Sequence, residues 1–394
     1  MGRWRWAIFL RRFAAWATTC TVLPMMNDRN RIPSLDGLRC IAVSLVLFSH
    51  LLGTRGFFSP PKTSLLYGFG NLGVQVFFVI SGYLITHLLL SELQRTNKIH
   101  LGKFYFRRTL RIFPPCYFMI GGLILLTALG WSTLTPKDAF RALTYTSNYY
   151  PGRSWNIGHT WSLGVEEQFY LLWPAVLVIL GRRKGFFAAA SVIFICPIIR
   201  VLLWHFYRLP DIGHRFETVA DAIATGCLLA GMREWLHTQK LYRSILESKF
   251  LLAAPIVVVA ALILGPHPLS YFAVSPTVIN LGIALCLDFA ITYHRGVVGT
   301  ILNSRPFVFM GVISYSTYLW QQIFLNRNSG SAITAFPLNI TLAGAAAVAS
   351  YYIVEQPCLR FRQRLEQRVF VHRREPAPVI AGESAAALAQ SNAN

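Results

Sequence analysis

Long apolar stretches recur along this chain at the spacing expected for membrane-spanning helices. A helix needs about 20 apolar residues to cross a bilayer core. Stretches near this length lie at 38–54, 70–90, 112–130, 161–180, 185–204, 216–232, 250–265, 274–292, 306–325 and 335–354. The pattern predicts an all-α polytopic membrane protein with about ten spans. The segment 139–150 is apolar but short, so we place it as an interfacial or re-entrant piece rather than a crossing.

Composition and charge support this class and orient the chain. Hydrophobic residues make up 54% of the 394 positions and charged residues 13%, which leaves too little polar surface for a soluble protein. The net charge of +21 could indicate nucleic-acid binding. However, most Lys and Arg fall on one side of the predicted membrane, as the positive-inside rule requires. We therefore predict a multi-pass membrane protein with cytoplasmic termini, contacts with lipid headgroups, and no nucleic-acid partner.

The ends of the chain differ from its middle, which suggests three regions. Residues 1–33 mix aromatic residues with arginines and form either an interfacial helix or a segment upstream of a true start at Met25 or Met26. Residues 34–356 form the predicted membrane domain, and 357–394 a basic, then disordered, cytoplasmic tail. The seven cysteines are scattered singly, and no motif has the spacing of metal ligands or of a nucleotide-phosphate loop. We expect no metal and no tightly bound cofactor.

A histidine lies within the first apolar run, eleven residues after an arginine. In a helix, Arg39 and His50 would share one face and be roughly 16 Å apart along the axis. Ionisable side chains inside spanning helices are costly and usually serve a function. The competing interpretation of His50 is a packed, hydrogen-bonded histidine without a chemical role.

Two further motifs follow toward the cytoplasmic side. Ser81 and Gly82 form a small pair at mid-depth, where either another helix or a ligand chain could approach the backbone. Arg108 and Arg111 stand at i and i+3, so their guanidinium groups share a helical face suited to phosphate binding. Attraction to lipid headgroups is an equally common reason for such arginines.

The segment entering the fifth span carries two adjacent carboxylates. Successive helical residues differ by about 100° in direction, so only one of Glu166 and Glu167 can face a given cavity. That carboxylate would orient or charge-balance a histidine, or bind a hydroxylated substrate. The other would pair with an arginine or reach solvent. His159, just before this helix, is expected to be an exposed loop histidine.

Taken together, the motifs resemble the integral-membrane acyltransferase-3 family over roughly residues 31–365. The resemblance is carried by Ser34-Leu-Asp-Gly-Leu-Arg39 with His50, Phe77-Phe78-Val-Ile-Ser81-Gly82-Tyr83, Arg108-Thr-Leu-Arg111, Trp161-Ser162-Leu-Gly-Val-Glu166, Ile313-Ser-Tyr315-Ser-Thr-Tyr318-Leu-Trp320 and Glu355-Gln-Pro357. The family's ten spans and cytoplasmic termini agree with the charge distribution. The resemblance implies transfer of an acyl group, commonly acetyl, from cytoplasmic acyl-coenzyme A as co-substrate to a hydroxyl of a carbohydrate or glycoconjugate. Polysaccharide-assembly proteins are possible partners of such an enzyme.

The resemblance also implies roles for individual residues. His50 would be the catalytic base, because an uncharged imidazole can remove a proton from an attacking hydroxyl. Arg39 would set the position of the donor or the electric field around His50, and Glu166 would act on the histidine or on the acceptor. The expected acyl-coenzyme A site contains Arg108, Arg111, Ser81 and Gly82, and the expected acceptor site contains Trp161, Ser162, Tyr315, Tyr318 and Gln321.

One position departs from the family pattern. Many members carry a histidine after the Tyr-Leu-Trp motif, where this chain has Gln321 and Gln322. A glutamine can hydrogen-bond a sugar but cannot act as a general base at neutral pH. Two other classes stay open: a secondary transporter or flippase, which predicts internal repeats that we do not find, and an inactive acyltransferase-like protein, against which the presence of His50, Arg108 and Arg111 argues.

Overall fold

The structure, a computed structural model, describes residues 32–61, 64–208, 211–248, 251, 253–263 and 272–366. Every regular element in these ranges is helical, which confirms the predicted all-α class. The α-helices are α1 Leu35–Leu51, α2 Gly68–Thr96, α3 Leu101–Ala128, α4 Pro136–Leu143, α5 Thr160–Leu202, α6 Phe216–Leu236, α7 Lys240–Glu247, α8 Ala254–Ile263, α9 Ser275–Thr292, α10 Val297–Leu302, α11 Arg305–Val312, α12 Ser314–Phe324, α13 Leu338–Ser350 and α14 Gln356–Glu366.

Short 3₁₀ and π segments connect or extend several of these helices. Most of the predicted N-terminal extension and most of the predicted tail, residues 1–31 and 367–394, lie outside the described residues.

Within the described ranges, 5 helical stretches are long and apolar enough to cross a membrane. This supports a multi-pass membrane protein, while the count of about ten spans and the cytoplasmic termini stay predictions. The 5 stretches are Leu65–Thr96, Leu101–Ala128, Trp155–Tyr207, Ser275–Thr292 and Leu338–Glu366.

The difference from the predicted count has identifiable structural reasons. The predicted spans at 161–180 and 185–204 are two helical segments of α5 that meet at Gly181, where φ 72 and ψ 169 interrupt the helix, so the two segments fall within one of the 5 stretches. The predicted span at 306–325 is divided into α11 and α12 at Ile313. Apolar runs in the sequence therefore do not correspond one to one with unbroken helices. The short apolar segment at 139–150 contains the end of α4, a helix of only 8 residues, which is too short to cross a bilayer, as predicted.

Helix α2 lies at the centre of the bundle and packs mainly against α1 and α6. The contact between α2 and α6 depends on a glycine from each helix. A Cβ atom at Gly82 would collide with the backbone of Ile223, and one at Gly226 would collide with the backbone of Val79. Small residues at such a crossing let two helix backbones approach closely. Of the two interpretations of Ser81-Gly82, helix packing describes Gly82.

A buried ion pair joins α5 to α6. Nη1 of Arg200 lies 2.9 Å from Oδ2 of Asp221, and both side chains are almost fully buried. The same guanidinium donates to the backbone oxygens of Thr218 and Phe272. Removing one partner of such a pair leaves an uncompensated buried charge, so the pair specifies how these helices associate.

We predict that Gly82→Ala and Gly226→Ala both destabilise the protein. The colliding atoms are backbone atoms, so α2 and α6 must separate; overpacking of this kind costs on the order of 1–3 kcal/mol in the free energy of unfolding. Thermal unfolding of the purified protein in detergent would measure the loss. Gly121→Ala is the matched control, because this glycine also lies within a helix but a Cβ there meets no atom within 4 Å. Equal melting temperatures for all three variants would contradict the proposed crossing.

Candidate active site

His50 lies in the last turn of α1 and lines the larger of two neighbouring cavities, about 640 Å³ in volume. We call it the His50 cavity. Its polar and aromatic lining includes Trp155, His159 and Trp161 from the segment that leads into α5, and Tyr318 from α12. An aromatic lining interspersed with hydrogen-bonding groups is suited to a polar ligand with apolar faces, such as a sugar ring.

The His50 imidazole is held by a glutamine that is distant in sequence. Nδ1 of His50 lies 2.7 Å from Oε1 of Gln321, which is fully buried behind it. With the proton on Nδ1 this contact is a donated hydrogen bond, and Nε2 is then the basic nitrogen. The ring also meets Trp155 edge-on, with centroids 5.6 Å apart. The imidazole is therefore fixed both by a hydrogen bond and by packing.

A second histidine lines the same cavity, contrary to expectation. His159, predicted to be an exposed loop residue, is only 2% exposed. Its backbone N–H donates to Oε1 of Gln322 at 2.7 Å, and its Nδ1 lies 2.8 Å from the same oxygen. Its Nε2 is buried without a hydrogen-bond partner in the described residues. His159 lies in the turn before α5, as predicted, but its predicted exposure was wrong, because Gln322 of α12 binds its side chain inside the bundle.

A smaller cavity, about 90 Å³ in volume, is lined by three arginines, Arg39, Arg108 and Arg111. We call it the arginine cavity. Glu166 and Glu167 also line it, so the three cations are partly balanced by two carboxylates. The carboxylate of Glu166 accepts a hydrogen bond of 2.8 Å from Ser81. This concentration of guanidinium groups is suited to phosphate or carboxylate groups.

The two cavities share a wall. Val74 and Tyr318 line both of them. The Tyr318 hydroxyl lies 2.6 Å from the Ser162 hydroxyl and donates to the backbone oxygen of His159 at 3.1 Å. The Tyr318 side chain therefore stands between the arginines and His50, and hydrogen bonds on α5 hold it there.

The structure distributes the predicted site residues over these two cavities. Arg39 and Glu166 line the arginine cavity and do not line the His50 cavity. The roles expected for them, toward the donor, the acceptor or His50, stay predictions. Arg39 is paired with Asp36 at 3.3 Å. Trp161 lines the His50 cavity. Gln321 lines neither cavity but holds His50 through their hydrogen bond. The other predicted site residues that line the arginine cavity are Ser81, Arg108, Arg111, Ser162, Tyr315 and Tyr318, whereas Gly82 lines neither cavity.

Sequence reasoning did not identify several residues of the His50 cavity. Arg153, Trp155, His214 and Arg327 all line it. Trp155 also donates from its indole N–H to the backbone oxygen of Gln322 at 3.1 Å. The available signal was the grouping of Arg153 and Trp155 just before a helix that carries a carboxylate pair. Nothing in the sequence connects that segment to Arg327.

Among the described residues, no group of three or more His, Cys, Asp or Glu side chains could hold a metal ion.

Comparison with known proteins assigns the chain to a family. Residues 32–354 match the sequence model described as "Acyltransferase domain", Acyl_transf_3. The chain therefore belongs to this family, and the resemblance carried by its motifs is confirmed.

Three relatives of the chain are named as O-acetyltransferases. O-acetyltransferase OatA of Staphylococcus aureus is 28% identical over 368 residues, which is 85% of this chain and 58% of the relative. Putative peptidoglycan O-acetyltransferase YrhL of Bacillus subtilis is 27% identical over 375 residues, 87% of this chain and 57% of the relative. Peptidoglycan O-acetyltransferase OatA of Listeria monocytogenes is 27% identical over 358 residues, which is 83% of this chain and 54% of the relative. The chain thus spans little more than half the length of these relatives. No solved structure matches it significantly.

We predict a pH-dependent contribution of the Asp211 cluster to stability. Asp211, in a loop beside the His50 cavity, bonds His214 and is ion-paired with Arg153 at 2.9 Å. The hydrogen bond from His214, and then the charge of Arg153, lower the pKa of this carboxyl. The stabilisation is fully present above the ordinary aspartate pKa of about 3.9 and is lost as pH falls through the lower value of the folded protein.

The melting temperature of the wild type should therefore lose a component below about pH 4 that Asp211→Asn lacks. Parallel melting curves of the two proteins from pH 6 to pH 3 would measure it. Identical acid sensitivity would show that Asp211 does not contribute in this way.

Proposed function

We propose that this protein is a membrane-bound O-acyltransferase that moves an acyl group, in particular acetyl, to a hydroxyl of a carbohydrate acceptor. Family membership supports acyl transfer. The names of the relatives support acetyl as the group and a glycan of the peptidoglycan type as the acceptor. The proposed donor is acyl-coenzyme A, bound from the cytoplasm.

The observation that carries the proposal is the arrangement of His50 beside a sugar-sized cavity and next to a cluster of arginines. A cavity of about 640 Å³ lies in the usual range of small-molecule sites, roughly 300–1,000 Å³. The contact with Gln321 supports the tautomer in which Nε2 accepts a proton. The arginine cavity shares the Tyr318 wall with this site, so donor and acceptor can be held on opposite sides of one side chain.

The proposed reaction uses His50 as general base. Its Nε2 takes the proton of the acceptor hydroxyl while the hydroxyl oxygen attacks the thioester carbonyl. A carbon–oxygen bond forms, the carbon–sulfur bond breaks, and the sulfur leaves as a thiolate. The proton then passes from the imidazolium to the thiolate, so the products are an ester and a free thiol, and His50 is regenerated.

The arginine cavity is proposed to hold a phosphate of the donor. At about 90 Å³ it is far smaller than a site for a whole coenzyme, so it accommodates one group while the remainder lies outside. Arg108 also contacts the Tyr170 ring, with its Cζ atom 4.9 Å from the ring centroid. Glu166, through Ser81, orients the polar groups of this cavity rather than acting on His50 directly.

We predict that His50→Ala lowers the rate of acyl transfer by about 10²–10⁴-fold, the usual contribution of a general base. Membranes containing wild type or variant would be incubated with labelled acetyl-coenzyme A and candidate glycans, and labelled ester would be counted. Leu65→Ala provides a control substitution at an exposed position outside both cavities. Unchanged transfer by the His50 variant would overturn the mechanism. Movement of glycan across the membrane without an acylated product would indicate a transporter instead.

We predict that Arg108→Gln and Arg111→Ala weaken the use of acetyl-coenzyme A, raising its KM about tenfold or more through loss of charge-assisted hydrogen bonds. Acetyl-pantetheine, which lacks phosphates, should be used equally by wild type and variants. Arg107→Gln is the matched control, because Arg107 belongs to the same basic run but bonds Glu366 at 2.6 and 2.7 Å and lines neither cavity. If the variants impair both donors equally, the arginines do not bind phosphate.

A further inference from the structure

The His50 cavity carries an uneven distribution of charge. Two arginines, Arg153 and Arg327, line it, and none of its described lining residues is acidic. A guanidinium that is partly removed from water is expected to have a carboxylate partner or a ligand that compensates its charge. The two arginines differ in this respect.

Arg153 is compensated within the protein. Its side chain is 9% exposed, and Nη1 lies 2.9 Å from Oδ2 of Asp211. Nη1 also donates to the backbone oxygen of Tyr150 at 2.8 Å, and Nη2 contacts His214 at 2.8 Å. Its charge and its donors are therefore engaged by neighbouring loop residues.

Arg327 makes contacts of a different kind. Nη2 donates to the backbone oxygen of Ser49 at 2.8 Å, and the guanidinium lies over two aromatic rings, with its Cζ atom 4.7 Å from the centroid of Tyr67 and 5.0 Å from that of Trp155. Its Nε is buried without a hydrogen-bond partner in the described residues. These contacts fix the orientation of the guanidinium but leave its charge uncompensated. A guanidinium has five N–H donors, so several stay available to a ligand.

Arg327 lies near His50, and the two residues share neighbours. Trp155 contacts Arg327 on one side and the His50 ring, at 5.6 Å, on the other. Ser49, whose carbonyl accepts from Arg327, directly precedes His50. A ligand that contacts both Arg327 and His50 would therefore lie along the Trp155 side of the cavity.

We propose that Arg327 forms an anion subsite for the acceptor, so that the saccharide acylated here carries a carboxylate or a phosphate close to the reacting hydroxyl. This inference rests on the proposed function for the identity of the acceptor as a saccharide. The acidic group forms charge-assisted hydrogen bonds to the part of the Arg327 guanidinium that lines the cavity. The ring lies against Trp155, and the hydroxyl faces His50. Arg153 is already paired with Asp211. It therefore forms part of the cavity wall but does not supply a positive charge to the ligand.

The experiment measures binding without any donor. The full chain in lipid nanodiscs would be titrated with N-acetylmuramic acid, N-acetylglucosamine 6-phosphate and neutral N-acetylglucosamine, and Kd would be measured by saturation-transfer NMR. The wild type should bind one or both acidic sugars about tenfold more tightly than the neutral sugar, and added salt should reduce the difference. The two acidic probes distinguish a carboxylate from a phosphate.

Substitutions locate the subsite. Arg327→Gln should abolish the preference for acidic sugars while leaving neutral-sugar binding nearly unchanged, and Arg327→Lys should retain part of it. Arg55→Gln is the matched control, since Arg55 is an exposed arginine that contacts Gly330 and does not line the cavity. Equal binding of acidic and neutral sugars by the wild type would overturn the proposal. So would an acidic preference that survives in Arg327→Gln.

If Arg327→Gln does not fold, the binding of the three sugars to the wild type and to Arg327→Lys still tests the proposed anion subsite. Failure of this inference is distinguishable from failure of the proposed function. Charge-dependent sugar binding without acyl transfer would count against the enzyme, whereas acyl transfer without charge preference would count against the anion subsite.

Discussion

Polar side chains inside an apolar helix bundle must find their hydrogen-bond partners within the protein, because no water is available to replace them. Much of this structure follows from that constraint. Arg200 is paired with Asp221 between α5 and α6. Asp288, fully buried in α9, accepts hydrogen bonds from Arg233 at 2.6 Å and His237 at 2.9 Å. Far from the two cavities, charges are compensated, and they hold helices together.

The same constraint makes the cavities recognisable. His159 and Arg327 each retain a buried nitrogen without a partner in the described residues, and both line the His50 cavity. An unsatisfied donor or acceptor costs about 1–3 kcal/mol when it is sealed from water. Such atoms also occur away from the cavities, as at Asn280 and Ser350, so the distinguishing feature of the His50 cavity is that an imidazole and a guanidinium of this kind lie in the same wall.

Features set by residues close together in the sequence could be predicted, whereas contacts between helices distant in the sequence could not. The apolar runs predicted the all-α class, and the arginine spacing correctly placed Arg108 and Arg111 together in one cavity. Helical periodicity also put Arg39 on the face of His50. It could not show that the Tyr318 side chain from α12 separates them. His159 was misplaced for the same reason, since its burial depends on Gln322, a residue of a distant helix. Local pattern does not encode such contacts.

The Gln321-Gln322 pair shows what a departure from a family pattern means in three dimensions. The two residues are adjacent on α12 and differ by about 100° in direction, yet each contacts a different histidine: Gln321 holds His50, and Gln322 holds His159. Judged from the sequence alone, a glutamine in place of the histidine at this position would leave the site with one imidazole fewer. In the structure a second imidazole enters the same cavity from the segment before α5. The amide at this position therefore does not leave the cavity with a single imidazole, and both rings are fixed by neutral partners that do not compete with them for protons.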